Sequence, residues 1–111
     1  MTSDIVFQEA IALLTGQFLE RAGTDCATIL NLLERPHLDM QELARLRFLA
    51  HSLVGTAPMF GHAELAQAAS EVEQVIHEAT EAKRELTDAE QAKLRLAGGR
   101  FAACHGRIFS E

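Results

Sequence analysis

The sequence predicts an all-α fold: an antiparallel up-down-up-down four-helix bundle with an additional short N-terminal helix or extension. Trp and Tyr are absent and Pro occurs only twice, whereas Ala, Leu, Glu, Gln and Arg, which favour helices, are frequent. Apolar residues recur at alternating steps of three and four, the period of a helix with one buried face. The 111 residues fit one domain, residues 1–111, with one core. Because the predicted connections are short, sequential helices are expected to run in opposite directions.

The first strong helical pattern runs from Phe18 to Glu34. Its apolar stripe consists of Leu19, Ala22, Cys26, Ile29 and Leu33. The segment Arg35-Pro36-His37 ends this helix, because proline removes a backbone donor and disfavours helical geometry in its predecessor. Before Phe18, a further apolar group predicts a shorter helix or an extension of the first, with Gly16 as a possible joint. This group comprises Ile5, Val6, Ala10, Ile11, Leu13 and Leu14.

The second and third helices are separated by the segment 58–61. Asp39 followed by Glu42 predicts the N-terminal cap of the second helix. The stripe of the second helix is Leu43, Leu46, Ala50, Leu53 and Ala57. The stripe of the third is Leu65, Ala69, Val72, Ile76 and Ala79.

The fourth helix has a clear start, since Thr87 and Glu90 have the spacing of a capping box. Its stripe is Leu94, Ala97, Phe101, Cys104 and Ile108. Gly98 and Gly99 lower helix stability by about 1 kcal/mol each relative to Ala. A close approach of another helix is the expected reason for them.

Charge and cysteine content exclude several classes of function. Sixteen acidic and ten basic residues give a net charge of -6 without a basic cluster, so nucleic acid and anionic membranes are not expected partners. No apolar run approaches the roughly 20 residues of a membrane span, and the start of the chain lacks signal-peptide features, so we expect a cytoplasmic protein. Cys26 and Cys104 form no C-x-x-C motif and fall in core registers, where we expect small buried residues.

One face of the second helix carries a candidate site around His51. A helical projection places Leu46, Leu49, Ala50 and Leu53 toward the core, and Ala44, Arg47, His51, Gly55 and Pro58 on the opposite or flanking surface. An isolated histidine there is most often an ordinary surface residue. Gly55, one turn beyond His51, leaves an open approach to the imidazole.

An apolar collar is predicted around His51, formed by Phe48, Val54, Pro58 and Met59. Such a patch on a convex bundle suits protein docking better than the enclosure of a small molecule. The alternative for Phe48 and Val54 is that the ends of other helices cover them.

These residues resemble the histidine-containing phosphotransfer (HPt) domains of two-component phosphorelays. The stretch His51-Ser52-Leu53-Val54-Gly55-Thr56, followed by Gly61, Leu65 and Val72-Glu73, is similar to the family pattern H-x-L-K-G-[SA], a later glycine, a leucine and a hydrophobic-Glu pair. The resemblance is strongest from Leu46 to Ile76. Val54 departs from the pattern, since the family usually has a lysine there that steadies the phosphoryl group. Arg47, one turn before His51, could supply the charge; the other interpretation of Arg47 is a solvated charge on a surface helix.

The resemblance implies a carrier that accepts a phosphoryl group on His51 and passes it on. Glu73 would accept a hydrogen bond from one ring nitrogen and so fix the tautomer and orientation of the imidazole. The other role open to Glu73 is a surface salt bridge. The implied partners are the receiver domain of a response regulator, which brings its own aspartate and magnesium, and a hybrid histidine kinase. The sequence has no nucleotide-binding motif, so no cofactor and no autokinase activity are expected.

Other functions remain open at this stage. One is a docking or regulatory module that binds receiver or kinase domains without carrying phosphate. Another is metal binding through His51, Glu73 and His77, or through His62 and His105, although paired E-x-x-H motifs on helices are missing. His77 also lies one turn after Glu73 and is a candidate for the edge of the site. Self-contained apolar stripes on every helix favour a monomer.

Overall fold

A computed structural model describes residues 2–109 of the chain, which form four α-helices and a short 3-10 helix. The α-helices are α1 (Thr2–Leu33), α2 (Met40–Thr56), α3 (Ala63–Glu81) and α4 (Asp88–Phe109). The 3-10 helix, Ala57–Phe60, joins α2 to α3. Within residues 2–109 there is no β-strand, so the predicted all-α class is confirmed.

Both predicted capping boxes are present. Asp39 accepts a hydrogen bond from the backbone N–H of Glu42 at 2.7 Å, and the Glu42 side chain accepts one from the Asp39 N–H at 3.0 Å. Thr87 and Glu90 form the same reciprocal pair at 3.1 and 2.9 Å. These pairs satisfy backbone donors that a helix leaves free in its first turn, so α2 and α4 begin where the sequence predicts.

The break between α2 and α3 is a tight turn that depends on Gly61. Its backbone has φ +85°, in the left-handed region that side chains other than glycine rarely adopt. The Gly61 N–H donates to the carbonyl of Pro58 at 3.2 Å, and the His62 N–H donates to that of Ala57 at 3.0 Å. The chain therefore turns sharply enough for α3 to pack against α2.

The core lies where the four apolar stripes meet. Helix α2 packs mainly on α3 and α3 on α4, while α1 contacts both α2 and α4. The largest fully buried side chains are Phe101, Ile29, Leu43, Leu46, Leu53, Leu65, Ile76 and Val72. Cys26 and Cys104 are buried free thiols, as predicted, and desolvation raises the pKa of Cys26 to about 12. Neither thiol has the character of a reactive cysteine.

The two adjacent glycines of α4 have different explanations. A Cβ atom placed on Gly98 would lie 3.3 Å from Cδ1 of Leu33, so the predicted close approach of a helix is confirmed there. A Cβ atom on Gly99 would meet nothing within 4 Å, so that explanation is wrong for Gly99. Nothing in the structure explains the second glycine.

The first half of α1 differs most from the expected packing. Leu19, predicted to be a core residue, is 37% exposed, and the helix runs through Gly16 without a joint. Three other predicted core residues, Leu33, Leu49 and Ile108, are only half-buried. The chain extends 59 Å along its longest axis, and its radius of gyration of 16.0 Å exceeds the roughly 13 Å of a compact domain of this length. No helix in residues 2–109 is long and apolar enough to cross a membrane.

Candidate functional site

Helix α2 presents His51 to solvent. Leu46, Ala50 and Leu53 repeat at steps of four and three and are fully buried against the rest of the bundle. A residue that follows Ala50 by one position is rotated by about 100° around the helix axis, away from the core. The side chain of His51 is 74% exposed.

Helix α3 brings Glu73 beside the imidazole. Val72 and Ile76 are fully buried and fix the rotation of α3, so that Glu73 lies at the seam between α2 and α3, with 19% of its side chain exposed. Nδ1 of His51 and Oε2 of Glu73 are 2.7 Å apart. Because a carboxylate only accepts, this geometry favours the proton on Nδ1 and an unprotonated Nε2. The contact therefore leaves Nε2 as the ring nitrogen without this hydrogen bond.

Arg47 is held by groups on α3. It donates hydrogen bonds to the Thr80 hydroxyl at 3.0 Å and to the Glu81 carboxylate at 2.7 Å. The bond from Arg47 and its charge lower the pKa of Glu81. Arg47 and His51 line the same shallow surface depression, together with Phe48 and Thr80. The guanidinium is thus near the imidazole but already paired with a carboxylate.

The predicted collar is mostly exposed. Phe48 and Met59 are 68% and 76% exposed, and Pro58 is also exposed. Val54 is half-buried and packs against the core, so it offers a partner less surface than the other three. Gly55 is exposed, and a Cβ atom there would meet nothing within 4 Å, which leaves the approach to the imidazole open.

His62, His77 and His105 do not line the depression that contains His51. His77 lines a groove between α3 and α4 that His51 does not share. His62 stacks on Phe18, with ring centroids 5.9 Å apart, and His105 stacks on Phe109 at 5.0 Å. Among the side chains that the structure describes, no group of three or more His, Cys, Asp or Glu residues could hold a metal ion.

Sequence reasoning missed Thr80 and Glu81 as partners of Arg47. They are more than thirty positions from Arg47 in the chain and come close only because α2 and α3 pack side by side. No local spacing in the sequence signals such a contact.

In a comparison with protein-family models, residues 14–103 match the Hpt domain. None of the curated proteins and none of the solved structures matches the chain significantly. The family match covers most of the chain, including α2, α3 and the His51–Glu73 pair. The chain therefore belongs to the Hpt domain family, whose general role is phosphotransfer in two-component systems.

Proposed function

We propose that this protein is a phosphorelay carrier that accepts a phosphoryl group on Nε2 of His51 and donates it onward. The observation that carries this proposal is the exposed imidazole whose Nδ1 lies 2.7 Å from the Glu73 carboxylate. With Nδ1 taken by Glu73, Nε2 is the ring nitrogen left to attack phosphorus. The exposure of the ring suits a donor that is itself a protein.

The transfer balances without a further reactant. Nε2 attacks the phosphorus of an aspartyl phosphate on a receiver domain, the new N–P bond forms, and the bond between phosphorus and the aspartate oxygen breaks. The electron pair leaves with the aspartate carboxylate, and the positive charge that the ring gains is stabilised by Glu73 through the hydrogen bond at Nδ1. The reverse sequence returns the phosphoryl group to an aspartate.

The partners in this proposal are a response-regulator receiver domain and a hybrid histidine kinase. The receiver brings the aspartate and its magnesium, which neutralises charge on the phosphoryl oxygens. Phe48, Pro58 and Met59 offer exposed apolar contact area beside His51, with a smaller contribution from Val54. Gly55 allows the partner backbone to approach the ring closely.

Arg47 is proposed as the phosphate contact that replaces the usual lysine, since Val54 occupies the lysine position. The guanidinium lines the depression that contains His51 and always carries a positive charge. To act, it must exchange the Glu81 carboxylate, which is 60% exposed, for the phosphoryl oxygens. Water reaches the Glu81 carboxylate and can replace Arg47 as its partner, which reduces the cost of this exchange.

Three further features belong to the proposal. They are an antiparallel up-down-up-down order of the helices, a single domain over residues 1–111, and a cytoplasmic location. The connections between α1 and α2 and between α3 and α4 are short, which favours sequential antiparallel neighbours.

The decisive experiment is incubation of the protein with a receiver domain phosphorylated on its aspartate. The expected product carries an acid-labile, base-stable label, typical of phosphohistidine, which His51→Gln abolishes. His77→Gln is a matched control, because it removes an exposed histidine from another groove, and it should keep the label. Label that persists in His51→Gln contradicts the proposal.

A second candidate function is a docking module that binds receiver or kinase domains without carrying phosphate. Two observations favour it: Val54 stands where the family has lysine, and Arg47 is paired with Glu81. In that case, the wild-type protein binds a receiver domain through the collar but remains unlabelled with every phosphorylated donor.

A further inference from the structure

The first half of α1 carries an apolar surface that this chain leaves uncovered. The exposed residues are Ile5, Val6, Phe7, Ile11, Leu13, Leu14 and Leu19, between 37% and 67% accessible. At roughly 200 Å² for a fully exposed large side chain, they present about 770 Å², distributed around the helix. The expectation of a monomer assumed that every stripe is buried within the chain, and α1 does not meet that condition.

The residues along one side of this segment follow a heptad repeat. Asp4, Phe7, Ile11, Leu14, Phe18 and Arg21 are separated by alternating steps of three and four, the spacing of a and d positions in a coiled coil. We call these six residues the α1 seam. Over residues 4–21 it is about 26 Å long, at 1.5 Å per residue. Asp4, Phe7, Ile11, Leu14 and Arg21 are exposed, and Phe18 is half-buried.

The charges at the ends of the α1 seam select the orientation of a partner helix. Asp4 lies at one end and Arg21, with 79% of its side chain exposed, at the other; the contact of Arg21 with Asp25 is long, at 4.0 Å. In an antiparallel pair of identical helices, Asp4 meets Arg21 of the second copy, Phe7 meets Phe18 and Ile11 meets Leu14. A parallel pair would place like charges together at both ends.

We propose that a second copy of this chain packs on the α1 seam as an antiparallel, two-fold symmetric helix pair. The α1 seam is self-complementary in both apolar content and charge, as a two-fold interface requires. The flanking positions 8, 10, 15 and 17 are Gln, Ala, Thr and Gln, so two acidic chains meet there without like charges. The exposed seam residues Phe7, Ile11 and Leu14 present about 340 Å² per copy, so two copies cover about 700 Å² of apolar surface, the size of a weak, concentration-dependent interface.

The α1 seam leads into the core of the bundle at Phe18. The helix of the second copy would begin beside this point. Phe18 stacks on Phe60, with ring centroids 4.4 Å apart, at the edge of the chain's own core. A shallow groove lined by Phe18, Arg21, Ser52 and Thr56 lies beside it, where the first turn of the second copy's helix would run. His51 does not line this groove, so the pairing leaves the candidate phosphotransfer site open.

Sedimentation velocity of the full chain over a wide range of concentrations tests the pairing. The wild type should form a species of twice the 12.2 kDa chain mass. The double variant Ile11→Gln with Leu14→Gln removes four seam side chains per dimer and should weaken dimerisation at least about a hundredfold. The matched control is Val6→Gln with Leu13→Gln, since these residues are 59% and 63% exposed but lie off the α1 seam. Its dissociation constant for the dimer should lie within about threefold of the wild-type value, because coiled-coil affinity depends mainly on a and d positions.

Charge reversal tests the antiparallel orientation. Asp4→Arg or Arg21→Asp alone should weaken dimerisation about tenfold, because each creates two like-charge contacts in a symmetric pair. The two reversals together should restore it, since opposite charges meet again. Rescue is not expected for a parallel pair, in which like charges still face each other.

Several results would overturn the proposal. If the wild type sediments as a monomer at every concentration, a second copy does not occupy the α1 seam. A helix of another protein would then be the remaining candidate. Equal effects of the seam and control variants, or no rescue by the double charge reversal, would also contradict it. Circular dichroism of each variant verifies that the bundle itself remains folded.

Discussion

Removing the Glu73 carboxylate tests the proposed chemistry most directly. In Glu73→Ala, the His51 ring loses the acceptor that lies 2.7 Å from Nδ1, so neither the tautomer nor the orientation of the ring stays fixed. The nucleophilic form with an unprotonated Nε2 then becomes one of several states. We expect slower transfer from a phosphorylated receiver with little change in folding.

The size of the effect follows from the exposure of the two groups. A hydrogen bond to a charged group contributes about 1.5–3 kcal/mol, and 1.36 kcal/mol corresponds to a factor of ten. Glu73 is only 19% exposed, but water reaches the 74% exposed His51 ring and replaces part of the lost interaction. We therefore expect the lost free energy to lie near the lower end of this range, so that the transfer rate falls about tenfold. Glu73→Gln keeps an acceptor oxygen but loses the charge, so its transfer rate should fall about threefold.

The assay is rapid-quench transfer of label from a phosphorylated receiver domain, with initial rates for each variant. Glu78→Gln is the control, because Glu78 lies on the same helix and is 84% exposed. Its carboxylate lies 4.0 Å from the Arg84 guanidinium rather than beside His51. It should transfer at the wild-type rate. Thermal unfolding should place all three variants within about 1 kcal/mol of the wild type. A wild-type rate in Glu73→Ala, or an equal loss in Glu78→Gln, would refute the role of Glu73.

Three other predictions concern the charge beside the site, the helix glycines and acid stability. Arg47→Gln should slow transfer about tenfold in the same assay, because a cation near the phosphoryl group is lost; an unchanged rate would exclude the phosphate contact. In urea unfolding, Gly99→Ala should raise the unfolding free energy by about 0.5–1 kcal/mol, whereas Gly98→Ala should gain less or lose stability because its Cβ meets a side chain at 3.3 Å. Hydrogen bonds from the Arg84 side chain and the Thr87 backbone N–H lower the pKa of Glu90 from 4.5 to about 2, so the stabilisation by the Glu90 carboxylate is complete above pH 4.5 and disappears as the pH falls toward 2. Glu90→Gln should flatten that part of the stability profile, and an unchanged profile would contradict this origin.

Helix starts and breaks were well predicted because local chemistry decides them. The Asp39–Glu42 and Thr87–Glu90 boxes form within four residues of chain, so their spacing is sufficient to predict them. The stripes of α2, α3 and α4 were predicted for the same reason. Leu19 was wrongly assigned to the core, since periodicity shows that a side of a helix is apolar but does not show whether another helix reaches it.

The pairing of His51 with Glu73 followed from resemblance to the family pattern rather than from spacing. The two residues are 22 positions apart on different helices, and their 2.7 Å contact depends on how α2 and α3 are rotated and aligned. The ion pair of Arg47 with Glu81 has the same origin, and no pattern predicted it.

The sequence by itself determined the all-α class, the starts of α2 and α4, and the break between α2 and α3. These depend on backbone propensity, capping and period, which act within a few residues. Only the tertiary structure decided which side chains share a surface, that Arg47 is already paired, and that the first half of α1 lies uncovered. The physical reason is that burial and contacts between helices depend on the relative placement of distant segments, which local periodicity leaves open.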